Sequence, residues 1–136
     1  MNIVLGRMHE SNVVVMSPVI GSFAARFVDS GAAVRIGNLT NLLMEIRDVF
    51  CILCNTIMTA DIVVDLWKRS LPVVWIIHEW WTDDMIIENL KIRNLRTLDL
   101  SVVKHALSTA SMIVFVCEAQ RNLYKPKVRS FSLFLS

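Results

Sequence analysis

The stretch Leu71-Pro72-Val73-Val74-Trp75-Ile76-Ile77-His78-Glu79 decides the fold class. After the proline come five apolar residues with no polar residue among them. A strand with one face in water alternates apolar and polar residues. A continuous run is expected of a strand covered on both faces, which is the condition of a parallel sheet. Pro72 can open such a strand but cannot sit inside one. The run then stops abruptly on two polar residues, His78 and Glu79.

Four more short runs rich in β-branched residues lie at 12–16, 33–36, 49–53 and 112–116, beside the one at 72–77. They read as strands too, although Asn12 opens one and Arg35 interrupts another. The segments between them have helical period. Leu39, Leu42, Leu43 and Ile46 fall at i, i+3, i+4 and i+7, and Ala60, Val63, Val64 and Trp67 repeat that spacing. Phe23, Ala24, Phe27 and Val28 make a shorter version that Gly31 is placed to stop. Thr59 and Thr82 stand where N-caps belong, each followed by acidic residues in the first turn. The segment 83–109 is long for one helix and is expected to break near 97–99. Strands alternating with helices imply an α/β fold with a Rossmann-like parallel sheet and right-handed crossovers. The domain is expected over 12–124, after an uncertain segment 1–11. An irregular tail is expected over 125–136, where Lys125, Lys127 and Arg129 mix with Phe131 and Phe134 without a period.

Of the 136 residues, 54% are hydrophobic and 19% charged, and the mean hydropathy is +0.53. Soluble domains usually carry about 25% charged residues. The apolar excess therefore fits a sheet buried on both faces or a surface that packs on a partner, and it excludes disorder. No run reaches the roughly 18 apolar residues of a membrane-spanning helix, and residues 1–10 have too short an apolar core for a signal peptide. The expected location is cytoplasmic. Peripheral membrane contact stays open, through a basic face of Arg93, Arg96 and Lys104 that is otherwise simply solvated. A net charge of +2 and the lack of a recognised motif argue against nucleic acid as a partner. Cys51, Cys54 and Cys117 form no disulfide framework. Cys51 and Cys54 make a C-x-x-C, but their odd separation along a strand sends them to opposite faces and no second pair completes a zinc site. They are expected to be buried core cysteines.

In open parallel sheets ligands bind beyond the carboxyl ends of the strands. The residues expected there are Ser17-Pro18 and Gly21, then Gly37, Asn55-Thr56, His78-Glu79-Trp80-Trp81, and Cys117-Glu118. His78 is the sharpest of these, because histidine titrates near neutral pH and can exchange a proton with a reacting hydroxyl. Glu79 could orient it or bind a sugar hydroxyl. Against this stands a plain strand-end histidine bonded to a neighbouring loop. Trp80 and Trp81 either stack on a ligand or close the edge of the core. Asp83 and Asp84 are better explained as first-turn helix acids than as a metal pair. Neither H-E-x-x-H, nor a P-loop, nor G-x-G-x-x-G after a strand occurs, so no metal site or phosphate cradle is expected.

The run Leu71-Pro72-Val73-Val74-Trp75-Ile76-Ile77-His78-Glu79 resembles the strand and following "HE" of family 4 glycosyltransferases of GT-B architecture. Ala110-Ser111-Met112-Ile113-Val114-Phe115-Val116-Cys117-Glu118 resembles their later strand, with Cys117 where serine is usual. Val13-Val14-Val15-Met16-Ser17-Pro18, Gly21 and Gly31-Ala32-Ala33-Val34-Arg35-Ile36-Gly37 resemble the family's second strand, helix and third strand. The resemblance covers 12–124 and implies the N-terminal, acceptor-side half of a GT-B enzyme. It implies His78 as the catalytic residue, with Ser17, Gly21, Asn55, Glu79 and Glu118 binding substrate. A nucleotide sugar would be the donor substrate and a carbohydrate or glycolipid the acceptor, with no further cofactor. The donor-binding domain falls outside the resemblance, so activity is expected only with that domain or subunit. Two alternatives stay open: a non-catalytic binding module that retains the fold, and an unrelated doubly wound protein with coincidental strand-end motifs.

Overall fold

Every strand pairing among the described residues is parallel, as continuous apolar runs separated by amphipathic segments require. The structure is a computed structural model that describes residues 14–17, 22, 24–38, 41, 44, 50–92, 98–128 and 131–134. The chain divides into two compact units, Met1–Arg47 and Asp48–Ser136. The described strands form a two-stranded parallel sheet in the first unit and a four-stranded one in the second.

In the first unit, β1 (Val14–Ser17), α1 (Ala24–Asp29) and β2 (Ala33–Ile36) make one β-α-β crossover. Val14 lies opposite Ala33 and Ser17 opposite Ile36. Gly31 stops α1 as its position predicts. At φ 88° it turns the chain so that its own amide reaches the Val28 carbonyl at 2.9 Å and the Ala32 amide reaches Phe27 at 3.0 Å, the paired bonds of a Schellman cap. The apolar stripe expected at Leu39, Leu42, Leu43 and Ile46 lies outside the described residues, as does Gly21.

The second unit runs β3 (Ile52–Asn55), the 3-10 turn η1 (Ile57–Thr59), α2 (Ala60–Lys68), β4 (Val73–Ile77), α3 (Asp83–Ile92), α4 (Leu100–Thr109), β5 (Met112–Phe115), α5 (Glu118–Tyr124), the 3-10 turn η2 (Lys125–Lys127) and β6 (Phe131–Phe134). Its strand order is β3-β4-β5-β6, the order of the chain. The tail expected to be irregular therefore contains a strand, with Met112 opposite Phe131 and Phe115 opposite Phe134. Four residues are too few to show a period, and pairing with β5 is what makes them a strand. The strand expected at 49–53 begins at Ile52. Nothing in the apolar run Val49-Phe50-Cys51-Ile52-Leu53-Cys54 marks its ends; the register does, setting Ile52 opposite Val73 and Asn55 opposite Ile76.

The core follows the sequence pattern around β4 and β5, whereas Leu53 of β3 and Trp67, the last residue of the stripe expected from Ala60, are exposed. Along β4, Val73, Trp75 and Ile77 are buried and Val74 and Ile76 half-buried, so both faces are covered. Ile57, Val63, Leu66, Ile86, Val103, Leu107, Ile113 and Phe115 are fully enclosed. Each such side chain contributes about 1.5–3 kcal/mol when removed from water. Cys54 joins this core, and burial, aided by Cys51 and Asp61, pushes its thiol up to about 12. Cys51 corrects the expectation of two core cysteines: it precedes the strand and is exposed.

The long segment after β4 does break as expected. Asp99 caps α4, its carboxylate accepting from the Val102 amide at 2.9 Å. Thr82 caps α3 through the Met85 amide at 3.4 Å. Thr59 does not cap α2; its hydroxyl donates to the Thr56 carbonyl at 2.9 Å instead. At the other end of α2, Ser70 takes the left-handed conformation (φ 57°) and completes a second Schellman cap, with Ser70 N to Trp67 O at 2.9 Å and Leu71 N to Leu66 O at 3.0 Å. Asp83, in the first turn of α3, accepts from Lys104 at 2.8 Å and from Lys127. The two lysine bonds hold its carboxyl below the usual aspartate range. Lys104 is thus an ion-pair partner rather than part of a free basic face, and Arg93 and Arg96 lie outside the described residues. No helix among the described residues is long and apolar enough to cross a membrane.

Candidate functional site

The carboxyl ends of β3 and β4 are neighbours, because the two strands pair in parallel register. That places Asn55, the last residue of β3, beside His78, the first residue after β4. The His78 Nε2 lies 2.5 Å from Asn55 Oδ1. Oδ1 can only accept, so the ring proton sits on Nε2. A neutral His78 then presents a lone pair on Nδ1, which has no partner among the described residues. Asn55 is exposed and His78 half-buried, so the pair is open to solvent.

Glu79 is anchored inward. Its Oε2 accepts from the amides of Ile57 and His78, each at 3.1 Å. Ile57 opens η1, which runs directly into α2, so the carboxylate sits at the positive end of a helical run. The expectation that Glu79 binds substrate thus meets a carboxylate with one oxygen committed to backbone amides. Its Oε1 has no partner among the described residues.

Thr56, between Asn55 and Ile57, has φ 75° and ψ 150°, a region a β-branched residue enters only at a cost of about 1–3 kcal/mol. The surroundings over-determine it. Its amide donates to Ile76 O at 2.8 Å and its hydroxyl accepts from Met58 N at 3.0 Å. Its carbonyl accepts from the Trp75 indole at 2.9 Å and the Thr59 hydroxyl at 2.9 Å. The strained turn carries the chain from the strand into η1 while leaving Asn55 facing His78.

The far side of the His78 loop is held from α5. Gln120 and Tyr124 are both fully buried. Gln120 Nε2 donates to the Glu79 carbonyl at 2.9 Å while its Oε1 accepts from Val116 N at 2.8 Å. The Tyr124 hydroxyl donates to the same carbonyl at 3.0 Å and accepts from Trp81 N at 3.2 Å. Its ring stacks on Phe115, centroids 5.6 Å apart, and burial raises its phenol above the usual tyrosine range while the Trp81 amide pulls the other way. Trp80 between these bonds is exposed and Trp81 half-buried.

The remaining expected site residues are dispersed or undescribed. Glu118 is an exposed first-turn acid of α5 whose carboxylate has no hydrogen-bond or ion-pair partner among the described residues. Ser17 ends β1 in the first unit. The geometry thus joins Asn55, Thr56, His78 and Glu79 and adds Gln120 and Tyr124. The last two had a signal in the sequence: a polar pair at i and i+4, hence on one helix face, directly after an apolar strand. No group of three or more His, Cys, Asp or Glu among the described residues could hold a metal ion. Comparison with protein-family models, with curated proteins and with solved structures finds no match to this chain.

Proposed function

We propose that this chain is the acceptor-side domain of a family 4 glycosyltransferase of GT-B architecture, working with a donor-binding domain that grips the nucleotide sugar. One observation supports it above the rest: an exposed amide and an imidazole meet at 2.5 Å across the carboxyl ends of adjacent parallel strands, with the imidazole's second nitrogen unused. That is the place and the chemistry for receiving a sugar hydroxyl. Asn55 holds the tautomer, and Nδ1 of His78 accepts the hydroxyl's hydrogen bond and, as the glycosidic bond forms, orients or takes its proton. The motif order along 12–124 and the exposed Trp80, two residues after His78 and an apolar ring on which a pyranose can stack, agree with this reading.

The test is nucleotide-sugar turnover with a donor-binding domain supplied, in the wild type and in His78→Ala. A general acid–base group contributes about 10²–10⁴-fold, so the variant is expected to lose at least a hundredfold. Undiminished turnover in His78→Ala would remove the residue from the chemistry. A non-catalytic module is favoured by a different observation, that Asn55 Oδ1 and Glu79 Oε2 are already bonded within the chain. Carbohydrate binding that survives, with no turnover under any pairing, would establish that reading instead.

A further inference from the structure

We infer that Gln120 and Tyr124 are positioning residues that set the imidazole of His78 through the carbonyl of Glu79. This inference rests on the reading of His78 as the reacting side chain. Glu79 is held at both ends of its own structure: its carboxylate by two amides and its carbonyl by two buried side chains. The carbonyl bonds hold the Glu79–Trp80 peptide and the carboxylate holds the amide of the Ile77–His78 peptide, so the chain is tied on both sides of the peptide that joins His78 to Glu79. Gln120 ties that carbonyl to the carboxyl end of β5 by also taking the Val116 amide. Tyr124 closes the loop by bonding both the Glu79 carbonyl and the Trp81 amide, on either side of exposed Trp80. A strand-end histidine on an unbraced loop would sample several ring orientations. Here α5 holds the residue that follows, that residue's carboxylate holds the His78 amide, and the ring's Nε2 lies 2.5 Å from Asn55 Oδ1.

Tyr124 is the single tyrosine of the chain, so biosynthetic incorporation of 3-fluorotyrosine alters this hydroxyl alone. Its donor strength changes while the ring keeps its shape. The readout is the pair of ring-nitrogen resonances of His78 in ¹⁵N-labelled protein at a fixed pH above the imidazole's titration. Those of His105, an exposed residue of α4, serve as reference. In the wild type, His78 is expected to show a single Nε2–H tautomer. In Tyr124→Phe and in Gln120→Met the two resonances are expected to move toward the averaged values of a free imidazole, with His105 unmoved. Should either substitution prevent folding, the fluorotyrosine protein decides: the His78 resonances are expected to shift with it. His78 resonances identical to wild type in the folded variants, or in the fluorotyrosine protein, would overturn the inference and leave the two side chains as ordinary core. No turnover enters this readout, so its failure is distinct from survival of activity in His78→Ala, which would overturn the catalytic reading alone.

Discussion

Replacing Glu79 by alanine removes the one acceptor shared by the Ile57 and His78 amides. Ile57 is fully buried, so its amide cannot turn to water, whereas the half-buried His78 can recover part of its loss. An orphaned buried donor costs about 1–3 kcal/mol, and a bond to a charged acceptor about 1.5–3 kcal/mol. With the second amide partly rehydrated, Glu79→Ala is expected to destabilise the second unit by about 2–3 kcal/mol. Glu79→Gln keeps an oxygen in place and gives up only the charge, about 1 kcal/mol. Urea unfolding followed by tryptophan fluorescence measures this cleanly, because Trp67, Trp75, Trp80 and Trp81 are all the tryptophans of the chain and all lie in that unit. For a urea slope of ~1–3 kcal/mol per M, the alanine midpoint should fall by about 0.7–3 M. A loss within about 0.5 kcal/mol, the range of unremarkable surface substitutions, would refute the anchoring role. Equal losses in both variants would show that the charge matters and the acceptor geometry does not.

Ser70→Gly is expected to stabilise the second unit by about 0.5–1 kcal/mol in the same assay, since the left-handed conformation costs an L-residue about 1–2 kcal/mol and glycine returns part of that as backbone entropy. A loss of stability would mean the Ser70 side chain contributes something its cap geometry does not show. Cys54, with its thiol pushed up to about 12, is expected to be about one part in ten thousand thiolate at pH 8 and to resist iodoacetamide until urea unfolds the protein, while exposed Cys51 reacts in the native state. Peptide mapping that finds Cys54 alkylated as fast as Cys51 would contradict its burial.

Much of the architecture was legible from local chemistry. The run from Val73 to Ile77 is apolar at every position, and only a strand covered on both faces makes use of that. Gly31 stops α1 because a left-handed residue is needed there and glycine adopts it without strain. Asp99 marks the start of α4 because a carboxylate can accept the unpaired first-turn amides. Ser70 shows the limit of such signals, forming the same cap as Gly31 with a residue that does not announce it. The strand-end residues Asn55, His78 and Glu79 were also legible as candidates, since parallel topology alone collects the carboxyl ends of neighbouring strands.

Other features belong to the tertiary structure. The start of β3 at Ile52, and β6 in a tail without a period, follow from register with their neighbours, which acts across 20 or so residues of chain and leaves no local trace. The same holds for the division of labour at the site. Nothing in a His-Glu dipeptide says that the histidine turns outward to Asn55 while the glutamate turns inward to Ile57. That choice is made where a helical run begins beside the strand end, because two unpaired amides attract a carboxylate more strongly than water holds it. Gln120 and Tyr124, more than 40 residues from Glu79, act on it only because α5 follows the strand next to β4. The sequence by itself determined that the chain would be a parallel α/β protein with polar strand ends, since burial of both faces is written into the unbroken apolar runs of β4 and β5. Which polar group faces solvent, and which braces the loop, was decided by the contacts that the sheet brought together.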